Sequence, residues 1–329
     1  MKRVLIIHTF GLGDMVMFTP ALQKLVELYP DVSVDYLIFQ KIASAPIKKH
    51  KATNQIYYSD FQIKNILKTI LEVRKSRYDM MITTSGTDPL KSGIFGLSLR
   101  SKIKVGEYKR WYHKLFFDKS VRYIEKLHRV ENNNLLVSDK KENSYHLRFF
   151  GIDPVISKKG RITLGIHAGS NPLYKEKRWA KEKFATLIDL LKKRYNSLDV
   201  VIFAGPEEEE ESRYIAEVTN SLLISGYSLE EVAKHIAKCD IFINSDSGLG
   251  HIAGCFDVEV YSIFGPAKDY KAKVFSKNAY VIKLGLECQP CYGTKRLKMC
   301  KNFECLYGLT PQMVFDKVVT TSKVLQDAR

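Results

Sequence analysis

Two short turns in this chain carry residue types suited to moving a group from one molecule to another. The first is His8-Thr9-Phe10-Gly11-Leu12-Gly13-Asp14, which follows the apolar run Val4-Leu5-Ile6-Ile7. Gly11 and Gly13 permit a tight turn and a close approach of backbone to ligand. Asp14 beside them can accept a proton from a hydroxyl. It could equally cap the helical stretch that begins near Thr19. A dinucleotide fingerprint needs a third glycine where Val16 stands, which disfavours a nicotinamide cofactor. A carboxylate inside the turn also repels a pyrophosphate placed directly on it.

The second turn is Asp246-Ser247-Gly248-Leu249-Gly250-His251, after the apolar run Ile241-Phe242-Ile243-Asn244. Ser247, Gly248 and Leu249 offer backbone N–H groups at the mouth of a helix expected over 250–256. Free N–H groups at a helix N-terminus suit a phosphate. The alternative is a helix capped by Asp246 or Ser247, with His251 merely packed. Two further turns join these. Ala168-Gly169-Ser170-Asn171 leads to Lys175, Lys177 and Arg178, cations able to neutralise a diphosphate leaving group. Gly205-Pro206 leads to the acidic run from Glu207 to Glu211. An acid there could bind ribose hydroxyls, or simply complement a helix dipole in its first turn.

The elements that must position these turns alternate between strand and helix. Strands are expected at 4–7, 32–39, 78–84, 162–167, 200–204, 241–244 and 260–264. Helices are expected at 19–28, 63–74, 181–194, 208–219, 229–237, 250–256 and 311–326, the last with Thr310 as N-cap. This is βαβ patterning, hence doubly wound parallel sheets. In such sheets ligands bind beyond the carboxyl ends of the strands, where all four turns lie. A polar joint near 154–160 divides the chain into two domains, 1–157 and 158–309, with a terminal helix at 310–329. Between Lys102 and Arg129 the pattern loosens, and basic residues interleave with Trp111, Tyr112, Phe116, Phe117 and Tyr123. Such a mixture suits a surface that meets phosphates and apolar material together.

The bulk properties bound the partners. The 329 residues carry a formal net charge of +16, which favours anionic partners such as nucleic acid, acidic lipid or phosphorylated substrates. No apolar run approaches the roughly 20 residues needed to span a bilayer, and the N-terminus reads as the first strand of a cytoplasmic protein. Cys239 and Cys255 lie in apolar segments and read as buried thiols. Cys288, Cys291, Cys300 and Cys305 form either a metal knuckle or a reduced cluster that packs a loop.

Taken together, in their order and spacing, the motifs resemble glycosyltransferase family 9, the ADP-heptose:lipopolysaccharide heptosyltransferases, over essentially the whole chain. The matching residues are Gly11-Leu12-Gly13-Asp14 with Thr19-Pro20-Ala21-Leu22, Gly165-Ile166-His167-Ala168-Gly169-Ser170 with Lys177-Arg178-Trp179, Phe203-Ala204-Gly205-Pro206-Glu207, Asn244 to Ala253, and Phe264-Gly265-Pro266. Cys288-Gln289-Pro290-Cys291 and Leu309-Thr310-Pro311 also look like the family's tail. The resemblance implies a GT-B fold: α/β, with two Rossmann-like domains whose parallel sheets face one another across a cleft. The N-terminal domain would take the acceptor and the C-terminal domain the nucleotide sugar, with the terminal helix packing back toward the N-terminal domain. It further implies an inverting, metal-independent transfer of a sugar, heptose from ADP-heptose, to a lipopolysaccharide-type anionic glycolipid. Asp14 would be the base on the acceptor-side loop of Gly11 and Gly13. Lys177, with Lys175 as the open alternative, would hold the diphosphate with Ser247, Gly248 and His251. Ser170 would also contact the donor, Asp246 the sugar, and Glu207 or Glu208 the ribose. No cofactor, bound metal or nucleic acid is expected, and an anionic membrane surface is an expected neighbour. The competing readings are a nicotinamide oxidoreductase and a non-catalytic basic nucleic-acid-binding protein.

Overall fold

The computed structural model describes residues 1–139, 145–154, 160–170 and 178–327. They form two compact units, Met1–Gly151 and Ile152–Arg329. Residues 155–159 of the expected joint lie outside the described residues, as do Lys175 and Lys177.

The first unit runs β1 (Arg3–His8), α1 (Leu12–Val16), α2 (Thr19–Leu28), β2 (Ser33–Ile38), β3 (Thr53–Tyr58), α3 (Ile63–Val73), β4 (Tyr78–Thr83), α4 (Pro89–Leu97), β5 (Ser101–Tyr108), β6 (Lys119–Arg122) and α5 (Arg129–Val137). Its strands pair in the order β3-β2-β1-β4-β5-β6, all parallel. A strand buried on both faces must be apolar throughout, as Val4 to Ile7 are. Ala21, Leu22 and Leu25 of α2 and Leu136 of α5 cover one face. Ile70 and Val73 of α3 and Phe95 of α4 cover the other. Asp35 of β2 is fully buried, and its charge is matched: it accepts from Arg3 Nη2 (2.7 Å), Tyr78 OH (2.9 Å) and Asn54 Nδ2 (2.8 Å). The loosened stretch from Lys102 to Arg129 holds β5, a 3-10 turn at Trp111–Phe116 and β6. Strands β5 and β6 close one side of the sheet, where solvent-facing lysines break the apolar alternation that marks a strand.

The second unit runs β7 (Ile162–His167), α6 (Lys181–Arg194), β8 (Leu198–Phe203), α7 (Glu209–Val218), β9 (Leu222–Ile224), α8 (Leu229–Ile236), β10 (Ile241–Ser245), α9 (Gly248–Ala253), β11 (Glu259–Ile263), α10 (Asp269–Ala272), β12 (Ala279–Ile282), α11 (Lys295–Met299), α12 (Glu304–Tyr307), α13 (Pro311–Thr321) and α14 (Lys323–Gln326). Its order, β12-β11-β10-β7-β8-β9, repeats the topology of the first unit, again all parallel. Thr310 caps α13 by accepting from Met313 N (3.2 Å). The single helix expected over 311–326 is broken at Ser322, whose hydroxyl caps α14 by accepting from Leu325 N (3.1 Å). Val314, Val318 and Val319 of α13 join the core shared with α6. Among the described residues no helix is long and apolar enough to cross a membrane.

Candidate functional site

In each unit the strand order reverses between the first and fourth strands, β1 and β4 or β7 and β10, so a crevice opens at their carboxyl ends. In each unit the first strand ends in a histidine that reaches across this point. His8 Nδ1 lies 3.0 Å from Thr84 Oγ1, and His167 Nδ1 lies 2.9 Å from Ser247 Oγ. The two rings then differ in what their other nitrogen meets.

His8 Nε2 lies 3.2 Å from the Gly11 carbonyl, which can only accept. The proton therefore sits on Nε2, and Nδ1 accepts from Thr84. Burial pushes the imidazole down to about 4 against the help of Asp14 and the Gly11 carbonyl, with Arg129 lowering it further. The neutral ring fixes the Gly11 turn. It also sets an acid limit on the fold. Unfolded, the ring protonates near 6.5, whereas folded it resists until about 4. Stability is complete above the unfolded value and falls as pH drops between the two, by on the order of 3 kcal/mol. Denaturant titrations at about pH 7 and about pH 4.5 should show that loss, and His8→Asn should flatten it.

Asp14 does not precede a helix and cap it, the alternative open from sequence. It lies inside α1, whose N-cap is Gly11, while Phe18 holds the N-cap of α2; no side chain caps either helix. Its Oδ1 instead lies 3.1 Å from Arg129 Nη1. Arg129 lies over the Phe10 ring, 4.9 Å from its centroid, and donates to the Ser85 carbonyl (3.0 Å). Gly86 makes room for it: its φ is +86°, and a Cβ there would stand 2.4 Å from Arg129 Nη1. The Gly86 amide donates to Glu107 Oε2 (2.9 Å), and burial pushes the Glu107 carboxyl up. Asn133 Oδ1 takes the Ser85 amide (2.8 Å), tying this turn to α5. A carboxylate on the crevice rim is thus held by a guanidinium that is itself held on three sides. Sequence reasoning placed Arg129 only in a basic run. The local signal was His128-Arg129-Val130-Glu131, a reciprocal cap that starts α5 and puts Arg129 in its first turn.

In the second unit His167 Nε2 meets a carboxylate, Glu208 Oε1, at 2.9 Å. The same oxygen accepts the Gly205 amide (2.8 Å), and Arg178 Nη2 lies 3.7 Å from Oε2. Burial favours the neutral acid, but His167, the Gly205 amide and Arg178 outweigh it and hold Glu208 below the usual range. Gly169 lies against this carboxylate; a Cβ there would be 2.2 Å from the Glu208 carboxyl carbon. Glu208 is therefore an internal brace, while Glu207 beside it is exposed. Ser247 occupies the N-cap of α9 without capping it. Its Oγ is engaged by His167 and by Asn244 Nδ2 (3.2 Å), whose Oδ1 in turn accepts from Ser262 (3.0 Å). Helix α9 begins at Gly248, two residues before the expected start, and its first-turn N–H groups have no intrahelical acceptor. Ser170 and His251 are buried nearby in sequence order and Asp246 is partly exposed, its amide donating to the Ile263 carbonyl (3.2 Å). Ser170 follows β7, and Asp246, Ser247, Gly248 and His251 follow β10, the two strands of one switch point, while Glu207 and Glu208 follow β8 and Lys177 lies outside the described residues.

Cys291 and Cys305 are buried, and burial together with the neighbouring thiols pushes both up, Cys305 to about 11. Cys305 sits in the core of the second unit. Among the described residues no group of three or more His, Cys, Asp or Glu side chains is arranged to hold a metal ion.

The model of glycosyltransferase family 9 (heptosyltransferase) matches residues 66–301. Lipooligosaccharide heptosyltransferase 2 of Campylobacter jejuni is 24% identical over 322 residues, covering 93% of this chain and 95% of the relative. Lipopolysaccharide heptosyltransferase 3 of Escherichia coli K12 is 26% identical over 283 residues, covering 77% and 79%. Among solved structures, E. coli heptosyltransferase WaaC with ADP superposes with a TM-score of 0.76 at 20% identity, over 97% of this chain and 100% of that one. A family 9 glycosyltransferase from Veillonella parvula gives 0.77 at 19% identity, over 99% and 97%. The fold class is GT-B, and the oxidoreductase and nucleic-acid-binding readings give way. The chain belongs to glycosyltransferase family 9 and is a glycosyltransferase.

Proposed function

We propose that this protein transfers heptose from ADP-heptose to a lipopolysaccharide inner-core acceptor, with inversion and without a bound metal. The first unit takes the acceptor and the second the nucleotide sugar. Asp14, on the loop of Gly11 and Gly13, removes the proton from the acceptor hydroxyl as that oxygen attacks the anomeric carbon. One displacement needs one base. The leaving diphosphate is met by Lys177, His251 and the amides of Ser247 and Gly248, a fixed set of positive ends that replaces a cation. Ser170 and Asp246 contact the donor, Asp246 through the sugar. Glu207 serves the ribose, because Glu208 is committed to His167. The enzyme works at the cytoplasmic face of an anionic membrane.

The observation that carries this reading is the pair of switch points. One presents a partly exposed carboxylate and the other a helix N-terminus that no side chain caps. Relatives named for heptose transfer, and a WaaC structure holding ADP-2-deoxy-2-fluoro heptose, support the choice of donor. The test is direct. With ADP-heptose, a truncated lipopolysaccharide acceptor and excess chelator, mass spectrometry should show the acceptor gain one heptose. Thermal stabilisation should be stronger with ADP-sugars than with UDP- or GDP-sugars. Transfer from a UDP-sugar instead, or loss of activity in chelator, would overturn the assignment.

A further inference from the structure

The helices on one face of the first unit are apolar on both sides. Ile70 and Val73 of α3 and Phe95 of α4 pack inward against the sheet. On their outer sides Ile63, Leu67 and Leu71 of α3, and Ile94 and Leu97 of α4, are each more than half exposed. The spacing 63, 67, 71 is one helical row, so these side chains form a ridge rather than scattered points. The patch continues past α4. The 3-10 turn at Trp111–Phe116 packs on it, with the Phe116 side chain against Gly93. There Trp111 and Leu115 are three-quarters exposed.

Cations border this ridge. Lys64 and Lys68 lie beside the α3 row, Lys91 on α4, and Arg110 and Lys114 beside Trp111, all exposed. Of the nearby acids, Glu72 on α3 is exposed beside Leu71, one acid against the five cations, while Asp60 and Asp88 are engaged at helix ends. Asp60 accepts from Gln62 N and Asn65 Nδ2, and Asp88 from Leu90 N and Lys91 N. Helices α3 and α4 and the Trp111 turn each follow the carboxyl end of a strand, the same rim of the sheet that carries Asp14.

We propose that this ridge seats the protein on an anionic lipid bilayer. The row of α3, the outer residues of α4 and Trp111 enter the headgroup region, and the bordering cations pair with lipid phosphates. The chemistry is that of an in-plane amphipathic surface: an apolar side with tryptophan, flanked by lysines. A second copy fits poorly, because a two-fold interface over this ridge would bring two cationic borders together with few acids to offset them. The inference rests on the glycolipid-acceptor reading above. It adds the surface by which such an acceptor, held in a membrane, comes within reach of the Asp14 rim.

The test uses the full chain and vesicles without acceptor, so it stands apart from catalysis. The protein should co-sediment with phosphatidylglycerol vesicles at least tenfold more than with phosphatidylcholine vesicles, and high salt should release it. Leu67→Glu with Trp111→Glu should cut that binding at least tenfold while leaving the melting temperature unchanged, since both positions are exposed. Lys64→Ala with Lys114→Ala should weaken it on anionic vesicles only. With a deacylated, water-soluble acceptor the Leu67→Glu and Trp111→Glu variant should turn over as the parent does, and with a vesicle-embedded acceptor it should be slower. Equal binding to neutral vesicles, or unchanged binding of the variant, would overturn the proposal. So would a parent that is dimeric in solution and becomes monomeric on Leu67→Glu, since the ridge would then be an interface between copies. Failure of the parent to act on either acceptor would instead defeat the functional reading and leave the vesicle result standing.

Discussion

Asp14→Asn should lower heptose transfer by about a thousandfold while leaving ADP affinity within about twofold. Asparagine keeps the size of the side chain and can still meet Arg129, so α1 and its turn should persist. What it loses is the ability to take a proton from the attacking hydroxyl. Because the amides assigned to the diphosphate belong to the other unit, the ADP measurement separates loss of chemistry from loss of the protein. Arg129→Ala should fall between the parent and Asp14→Asn. It frees the Asp14 carboxylate to rotate and leaves Glu107 buried without the guanidinium beside it. Single-turnover rates with saturating donor, together with ADP calorimetry, provide the check. Near-parent turnover by Asp14→Asn would take the base role from this residue.

The second large effect concerns stability. Trp179→Ala should destabilise the second unit by about 3–5 kcal/mol, read as a shift of its denaturant midpoint. Trp179 is 2% exposed and packs edge-on against Phe184 of α6, ring centroids 4.9 Å apart. Its Nε1 donates to the Leu309 carbonyl (3.0 Å), and its amide donates to Ser245 Oγ at the end of β10 (3.3 Å). Truncation would open a ring-sized cavity and leave the Leu309 carbonyl short of a donor. Lys183 holds the same segment, donating to the carbonyls of Leu306, Tyr307 and Leu309. The segment before α13 is thus tied to β10 through one indole. Trp179→Phe, which keeps most of the packing and loses the donor, should cost roughly 1–2 kcal/mol.

The alternation of apolar runs with helical periodicity identified the central strands because β1, β4, β7 and β10 are buried at most positions and mostly apolar. Helices α2 and α6 were legible to the residue, since each has a clear inward stripe and a clear end. Strands β3, β5 and β6 were not, as lysines, tyrosines and asparagines alternate on surfaces exposed to water. The turns were legible as turns, but the direction of their side chains was not. Nothing local in Glu207-Glu208 tells which carboxylate turns inward. That choice is made by His167, which is 41 residues from Glu208 in sequence. In the same way Asp14 read as a base or a cap, and only Arg129, beyond the intervening β4 and β5, shows that its carboxylate is ion-paired.

The inward-turned hydroxyl of Ser247 has a consequence for how such enzymes diversify. On the proposed assignment, the main-chain part of the diphosphate grip depends on charge and shape, features common to every nucleotide sugar. Substitution of the side chains around that grip can then retune which base or sugar is accepted without rebuilding the anchor. On that assignment donor preference and leaving-group stabilisation are separately evolvable, with the buried chain from Ser262 through Asn244, Ser247 and His167 to Glu208 holding the turn in place while its surroundings change.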